Sequence, residues 1–341
     1  MIVGFGLQET QDKIIYEYAD IKAEPHSVKA GNINPYLVDA KDTVLSRRNI
    51  PLAVLTPEMN YGSMPIDSGW LILTDEVKNE VLKNEPQIAK YVKPYFGGEE
   101  FLNNIKRWCL WLVDANPSDM RNSKFISERI SQNKKYRLTS NRPQTLEMAN
   151  TPSLFGEIRQ PKTQYLLLPK VSSENRTYMP IGFMPVEAIA SGSALIIANA
   201  NILHFGILQS SFHMAWLRTA CGRMKSDYQY SAGIVYNNFP WPEPTDKQRA
   251  NIEAAAQAVL NARTVFANAS LADLYDPLTT PAILLKAHQV LDKAVDAAYG
   301  YKGAATDAAR VAFLFERYQA ITSLLPAASP KKTSRKSRKL N

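Results

Sequence analysis

Residues Cys221 to Pro242 read CGRMKSDYQYSAGIVYNNFPWP, and the interpretation of this stretch decides how the rest of the chain is understood. Lys225, Asp227 and Gln229 alternate with Ser226, Tyr228 and Tyr230. In an extended segment side chains two apart share a face, so cation, anion and amide are expected to point one way. Each type can pair with a base edge: lysine with guanine O6/N7, aspartate with cytosine N4, glutamine with adenine N6/N7. A Lys and an Asp about 7 Å apart along a strand can read the two halves of one G·C pair. The competing reading is a solvated strand edge with a local ion pair, a common surface feature of little energetic weight.

Working upstream, Tyr165–Pro169 (YLLLP), Tyr178–Phe183 and Ala194–Ala198 are expected as strands, with Lys170–Arg176 (KVSSENR) as a polar turn between the first two. Ile202–Ala220 has helical periodicity, with Leu208, Met214, Trp216 and Leu217 as its apolar set. Residues 119–135 are expected as a helix within a basic segment that carries Arg121, Lys124, Arg129, Lys134, Lys135, Arg137 and Arg142. Its basic face looks either to phosphate or to water. Asp75–Asn84 behind Thr74 has the N-cap and early acids of a helix. Residues 41–70, with Arg47, Arg48 and several prolines, read as a loop, and Ile14–Tyr18 as a strand. The opening MIVGFG reads as the last strand of a domain whose remainder lies upstream.

Downstream, Pro240-Trp241-Pro242-Glu243-Pro244 ends the β region and the character changes. Three helices are expected, at 246–266, from 280 or 281 to 299 and at 306–325, with buried stripes at Leu291, Val295 and Ala298 and at Val311, Leu314, Phe315 and Tyr318. The fold class is therefore α+β: a mixed-sheet domain followed by a small C-terminal helical bundle. Residues 1–22 are expected to be a remnant of an upstream domain, 23–245 the recognition domain, 246–328 the helical domain and 329–341 a disordered basic tail.

At 341 residues with 45% hydrophobic content, the chain can bury a proper core. The formal charge of +8 favours a polyanionic partner. Much of that excess sits in Lys331–Asn341, a run rich in Lys and Arg without acid. Any affinity of the folded part for a polyanion must then come from how charge is distributed. The two cysteines, Cys109 and Cys221, belong to no CxxC pair and suit buried thiols in a reducing compartment. Four histidines without a close Cys/His grouping argue against zinc. No run of eighteen apolar residues occurs and the opening lacks a basic n-region, so neither a membrane span nor a signal peptide is expected, and a cytoplasmic location is expected.

Recognisable catalytic patterns are missing from the sequence. GxGxxG, GxxxxGK[ST], HExxH, GxSxG and clustered nuclease-type carboxylates do not occur. Asn34-Pro35-Tyr36 and Asn238-Phe239-Pro240 lack the double proline of an amino-methyltransferase tetrapeptide and read as loop or strand-end residues.

The phrases Asp20–His26, Asn32–Val38, Pro169–Arg176 and Tyr178–Phe183 resemble the MmeI-like family. So do His204-Phe205-Gly206, His213-Met214-Ala215-Trp216, the 221–241 stretch, Leu291–Gly300 and Phe313–Gln319. The resemblance runs from about residue 2 to 325, with its motifs in the family's order. It implies a bacterial single-chain restriction–modification enzyme that combines an endonuclease, an adenine-N6 methyltransferase and a target recognition domain. The S-adenosylmethionine-binding motif, the Asn-Pro-Pro motif and the nuclease carboxylates are then expected upstream of Met1. No cofactor is expected in this chain itself, which is either part of a longer polypeptide or the product of a split gene. Its expected partners are double-stranded DNA and the methyltransferase and endonuclease domains, in cis or as a separate chain, with no membrane.

The resemblance further implies that Lys225 and Asp227 read one base pair, and that Gln229 reads a neighbour. Ser193, Ser173 and Lys170 fall in the other links where family members differ. Phosphate contacts are expected from Arg47, Arg48, Arg121, Lys124, Arg129 and Arg176. Two rival functions stay open: a catalytic chain with an unrecognised site near Asn34-Pro35-Tyr36 or Asp227, and a protein-interaction subunit that docks a methyltransferase without touching DNA.

Overall fold

Tyr165–Pro169 is buried at every residue, which is what its unbroken YLLLP run requires of a strand covered on both faces. The computed structural model describes residues 12–18, 23–54 and 56–323. Within it this strand pairs with Ala194–Ala198 on one side and Gly182–Met184 on the other, and Met59–Tyr61 lies beyond Ala194–Ala198. All pairings in this four-stranded sheet are antiparallel. A second four-stranded sheet runs Ile189–Ala190, Val92–Phe96, Arg107–Leu110, Ile72–Thr74, and the Ile189–Ala190 pairing is its parallel one. Leu71, Leu73, Ile88, Cys109, Leu110 and Ile126 form its core.

The chain leaves the second sheet at Ala190 and enters the first at Ala194, so the turn Ser191-Gly192-Ser193 is the crossover. Gly62 explains how closely this turn is held. Its amide donates to Ala194 O, and a Cβ there would collide with the carbonyls of Ala190 and Ser191. Only glycine lets these backbones approach so far.

Several elements differ from the sequence-based expectation. Of the expected strand Tyr178–Phe183, only Gly182–Met184 joins a ladder; Pro180 cannot donate to one, and Met179 O instead accepts from the Gln209 side chain. The 119–135 helix is two, Pro117–Asn122 and Lys124–Leu138, because Ser123 turns its hydroxyl to the Ile126 amide as an N-cap. The 202–220 helix likewise breaks into Ile202–Leu208 and Ser211–Ala220, with Ser210 capping the second. Asp75–Asn84 is helical with Thr74 as its N-cap, as its sequence indicates.

In the C-terminal part, Asp246–Thr264 starts in a Thr245/Gln248 capping box and packs against Ala282–Tyr299 and Ile202–Leu208. Ile252, Val259, Leu284, Leu291 and Val295 are the buried contacts. A short helix Leu271–Leu274 stands between them in sequence, and Asp307–Ser323 is the last helix. The fold is thus α+β with a C-terminal helical region. Cys109 is buried, whereas Cys221, expected to be buried too, is half-exposed at the start of the hairpin described below.

Residues 44–311 form one compact unit, and the described parts of 1–43 and 312–341 belong to another. In the latter, Lys13–Glu17 pairs with His26–Ala30 in an antiparallel hairpin, covering most of the strand expected at Ile14–Tyr18. Asn34 is buried, with its side-chain oxygen accepting from the Tyr36 and Val38 amides, and Tyr36 packs on Phe315 at 5.2 Å. The strand expected at MIVGFG and the tail at 329–341 lie outside the described residues.

Candidate nucleic-acid interface

The 221–242 stretch divides its labour. Its second half is core: Tyr230, Val235, Tyr236, Phe239 and Trp241 are buried, and Trp216 Nε1 donates to Val235 O at 2.9 Å. Ala232–Tyr236 is a single π-helical turn whose neighbour Asn238 donates to the carbonyls of Ser46, Gly233 and Ile234. That amide joins its own turn to the 46–48 loop, a structural role for Asn238-Phe239-Pro240.

The first half is a hairpin. Gly222–Met224 pairs with Asp227–Gln229 in the register Gly222↔Gln229, Arg223↔Tyr228, Met224↔Asp227. Asp227 and Gln229 share a face of their strand and are half-buried. Lys225 does not share that face, because it sits in the two-residue turn at φ 57° and is exposed at the tip. The expected common face of all three is therefore corrected. The reason is register: Tyr228 is buried, bonds Glu174 O at 3.0 Å and pairs with Ser172, which fixes the strand from residue 227 onward. Residues 222–224 fold back to cover that strand's open edge.

Lys170 joins the hairpin to the crossover turn. Its carbonyl accepts from Tyr230 N at 2.8 Å, and its amide donates to Ser193 O at 3.3 Å. Its ammonium stands 5.3 Å over the Tyr61 ring. Ser193 is exposed, with its hydroxyl oxygen accepting from Gly98 N at 3.3 Å. Ser173 is half-buried, and its hydroxyl oxygen accepts from Asn175 N at 3.3 Å. The backbone thus links the segments that carry Lys170, Ser173, Ser193, Asp227 and Gln229, with Lys225 at the hairpin tip.

The six expected phosphate contacts separate. Arg47, Arg121 and Lys124 are exposed. Arg48 is half-buried and its backbone is bonded to Gly233 O and to the Asn237 side chain. Arg129 is turned inward: Nη1 donates to Trp70 O at 3.0 Å and the guanidinium lies 4.8 Å over Phe125, with burial pulling its pKa down. Arg176 is half-buried, donates to Ser172 Oγ at 3.0 Å and is pulled down by burial, with the Asp227 charge opposing. Arg137, from the same basic segment, is fully buried. It donates to five carbonyls, those of Pro65, Ile66, Met148, Thr151 and Leu154, at 2.7–3.0 Å.

Among the described residues, Gly97-Gly98 lies between the strand Val92–Phe96 and the helix Gly98–Asn103, a strand–glycine–helix junction of the kind that can form a nucleotide cradle. It does not fit one. The space a Cβ would occupy at Gly97 is filled by Ser193 Oγ and Glu100, and at Gly98 by Pro169. Among the described residues no helix is long and apolar enough to cross a membrane.

Residues 39–243 match the sequence family described as MmeI, target recognition domain, and residues 244–326 match MmeI, C-terminal domain. The chain belongs to the MmeI family. It is 36% identical over 322 residues to a protein named DNA methyltransferase A from Bacillus subtilis (strain 168), a match that covers 94% of this chain and 36% of that one. It superposes with TM-score 0.87 and 50% identity on the Type IIL restriction–modification enzyme MmeI solved in complex with DNA, over 94% of this chain and 42% of that one. The chain spans well under half the length of these relatives. The MmeI target-recognition region therefore holds both the crossover turn and the hairpin, and the helical region after Pro242 is the MmeI C-terminal domain.

Sequence reasoning passed over Arg223, Glu174 and Tyr61. Each matters through a partner far along the chain or across a turn, and the Lys-Ser turn lacks the Asn-Gly or Asp-Gly signal that announces a hairpin.

Proposed function

We propose that this chain reads a short asymmetric site in double-stranded DNA as the specificity part of a restriction–modification adenine-N6 methyltransferase. The hairpin tip, Lys170 and the crossover turn enter the major groove. Lys225 and Asp227 read one base pair, and Gln229 reads its neighbour. Arg47, Arg121 and Lys124, the exposed members of the basic set, hold phosphates without regard to sequence. The reactive chemistry, including S-adenosylmethionine, belongs to domains outside this chain, to which the bound duplex is handed with its adenine flipped out. Such domains are joined in cis or supplied as a separate chain.

The observation that carries this reading is the exposed Lys225 beside the half-buried Asp227, on a hairpin anchored through Tyr228 and Tyr230 to the segment that bears Lys170. A rigid β scaffold displaying a few polar side chains is what base reading needs.

The test is the double exchange Lys225→Asp with Asp227→Lys, followed by selection from a random duplex library. The expected result is a changed base at one position with overall affinity kept. Loss of binding to every sequence would reject the base-pair assignment. A gel shift that shows no salt-dependent binding by the parent chain would favour a protein-docking subunit instead.

A further inference from the structure

The two-residue turn of the 222–229 hairpin poses a physical problem. Lys225 adopts φ 57°, a left-handed conformation that glycine or asparagine usually supplies and that a long side chain resists. Such a conformation persists only where its surroundings over-determine it. Arg223 lies beside this turn. From the strand before the turn, its Nη1 donates to Ser226 O, the carbonyl just after Lys225, at 2.8 Å. Its guanidinium lies over the Tyr228 ring at 4.3 Å, and the Glu174 carboxylate stands 3.6 Å from the same Nη1. Tyr228 is in turn fixed by its own hydroxyl on Glu174 O.

We infer that Arg223 is a positioning residue for base reading: it clips the turn so that Lys225 is held at a fixed place and direction relative to Asp227. The clip is made by geometry. The side chains of Arg223 and Glu174 are about half exposed (40% and 45%), so their ion pair adds little to the stability of the fold. What the planar guanidinium supplies is one group that bonds a carbonyl and stacks on a ring at once, which a lysine ammonium cannot reproduce. The inference rests on the base-reading function proposed above. It adds a residue that touches no base and whose loss blurs the choice of base.

The experiment compares the parent chain with Arg223→Ala, Lys225→Ala and the double variant. The probes are a duplex carrying the selected site and duplexes changed at each position in turn. For Arg223→Ala we expect discrimination at the one position read by Lys225 and Asp227 to fall about tenfold, with the other positions and the salt slope unchanged. In the Lys225→Ala background, Arg223→Ala is then expected to change nothing further. A uniform loss of affinity for all duplexes, with a salt slope lower by about one, would overturn the inference, because Arg223 would then be contacting phosphate. Full additivity of the two substitutions would overturn it too. If Arg223→Ala does not fold, Arg223→Lys carries the test: discrimination lost supports the clip, and discrimination kept refutes it. If Lys225→Ala alone leaves base preference intact, base reading by Lys225 fails independently of Arg223, and the two failures are told apart.

Discussion

The Tyr178 hydroxyl donates to one carboxylate oxygen of Asp292 at 2.7 Å across 114 residues of chain, and the other oxygen accepts from Ser211 N at 2.7 Å. The Tyr178 ring stacks on His288 at 3.9 Å, and His288 Nε2 meets the Tyr275 hydroxyl at 2.9 Å. Arg263 closes the knot by donating to Tyr275 Oη at 2.9 Å and to Ile181 O at 2.6 Å. A buried polar network thus ties the β-rich region to the helices that follow Pro242. Burial raises the Asp292 carboxyl above its ordinary range, which its donors from Tyr178 and Ser211 oppose.

Removing the shared acceptor should be costly, because it orphans two buried donors. Asp292→Ala is expected to lose about 3 kcal/mol of stability and Tyr178→Phe about 1 kcal/mol. Thermal unfolding measures both, at very roughly 2–4 °C per kcal/mol. An Asp292→Ala melt indistinguishable from the parent would mean that the knot bears no weight.

Arg137 should be irreplaceable for a different reason. Five carbonyls converge on one guanidinium, and no other side chain offers five donors in a fixed fork. Arg137→Met is expected to cost more than about 3 kcal/mol, through buried acceptors left unpaired. Arg137→Lys, with three donors, is expected to rescue only part of that loss. Denaturant midpoints at constant slope would show it.

The exposed and inward-turned cations of the basic segment should behave oppositely. Arg121→Ala and Lys124→Ala are expected to weaken binding to all duplexes alike, each lowering the salt slope by about one, with stability unchanged. Arg129→Ala is expected instead to destabilise the fold, since its guanidinium is committed to Trp70 O and Phe125. A salt titration run beside a melt distinguishes the two classes. If Arg129→Ala proved as stable as the parent, its inward contacts would carry nothing.

Stability should fall on mild acidification. Burial lowers the pKa of His213 to about 4 and that of His288 to about 3, so both are neutral when folded. The unfolded chain binds their protons near pH 6.5, so stability is intact above that value and is lost as pH falls from there towards pH 4 and below. At pH 5 the two histidines together should cost about 4 kcal/mol. Melts at pH 7.5 and pH 5 of the parent and of His288→Gln measure the effect. An unchanged difference in the variant would exonerate His288.

Residue order alone determined the α+β class, the helix behind Thr74, the YLLLP strand, the change to helices after Pro242 and the family. Apolar periodicity, caps and prolines act locally and leave a local trace. Tertiary structure alone decided which polar groups face outward. Arg137 and Arg129 look like any basic residues of their segment until five carbonyls and a tryptophan loop close around them. Lys225, Asp227 and Gln229 look like one face until Tyr228 is buried and Lys225 falls in the turn. Burial and the partners reached across distant segments set the orientation of a charged side chain, and spacing in one sequence does not record them.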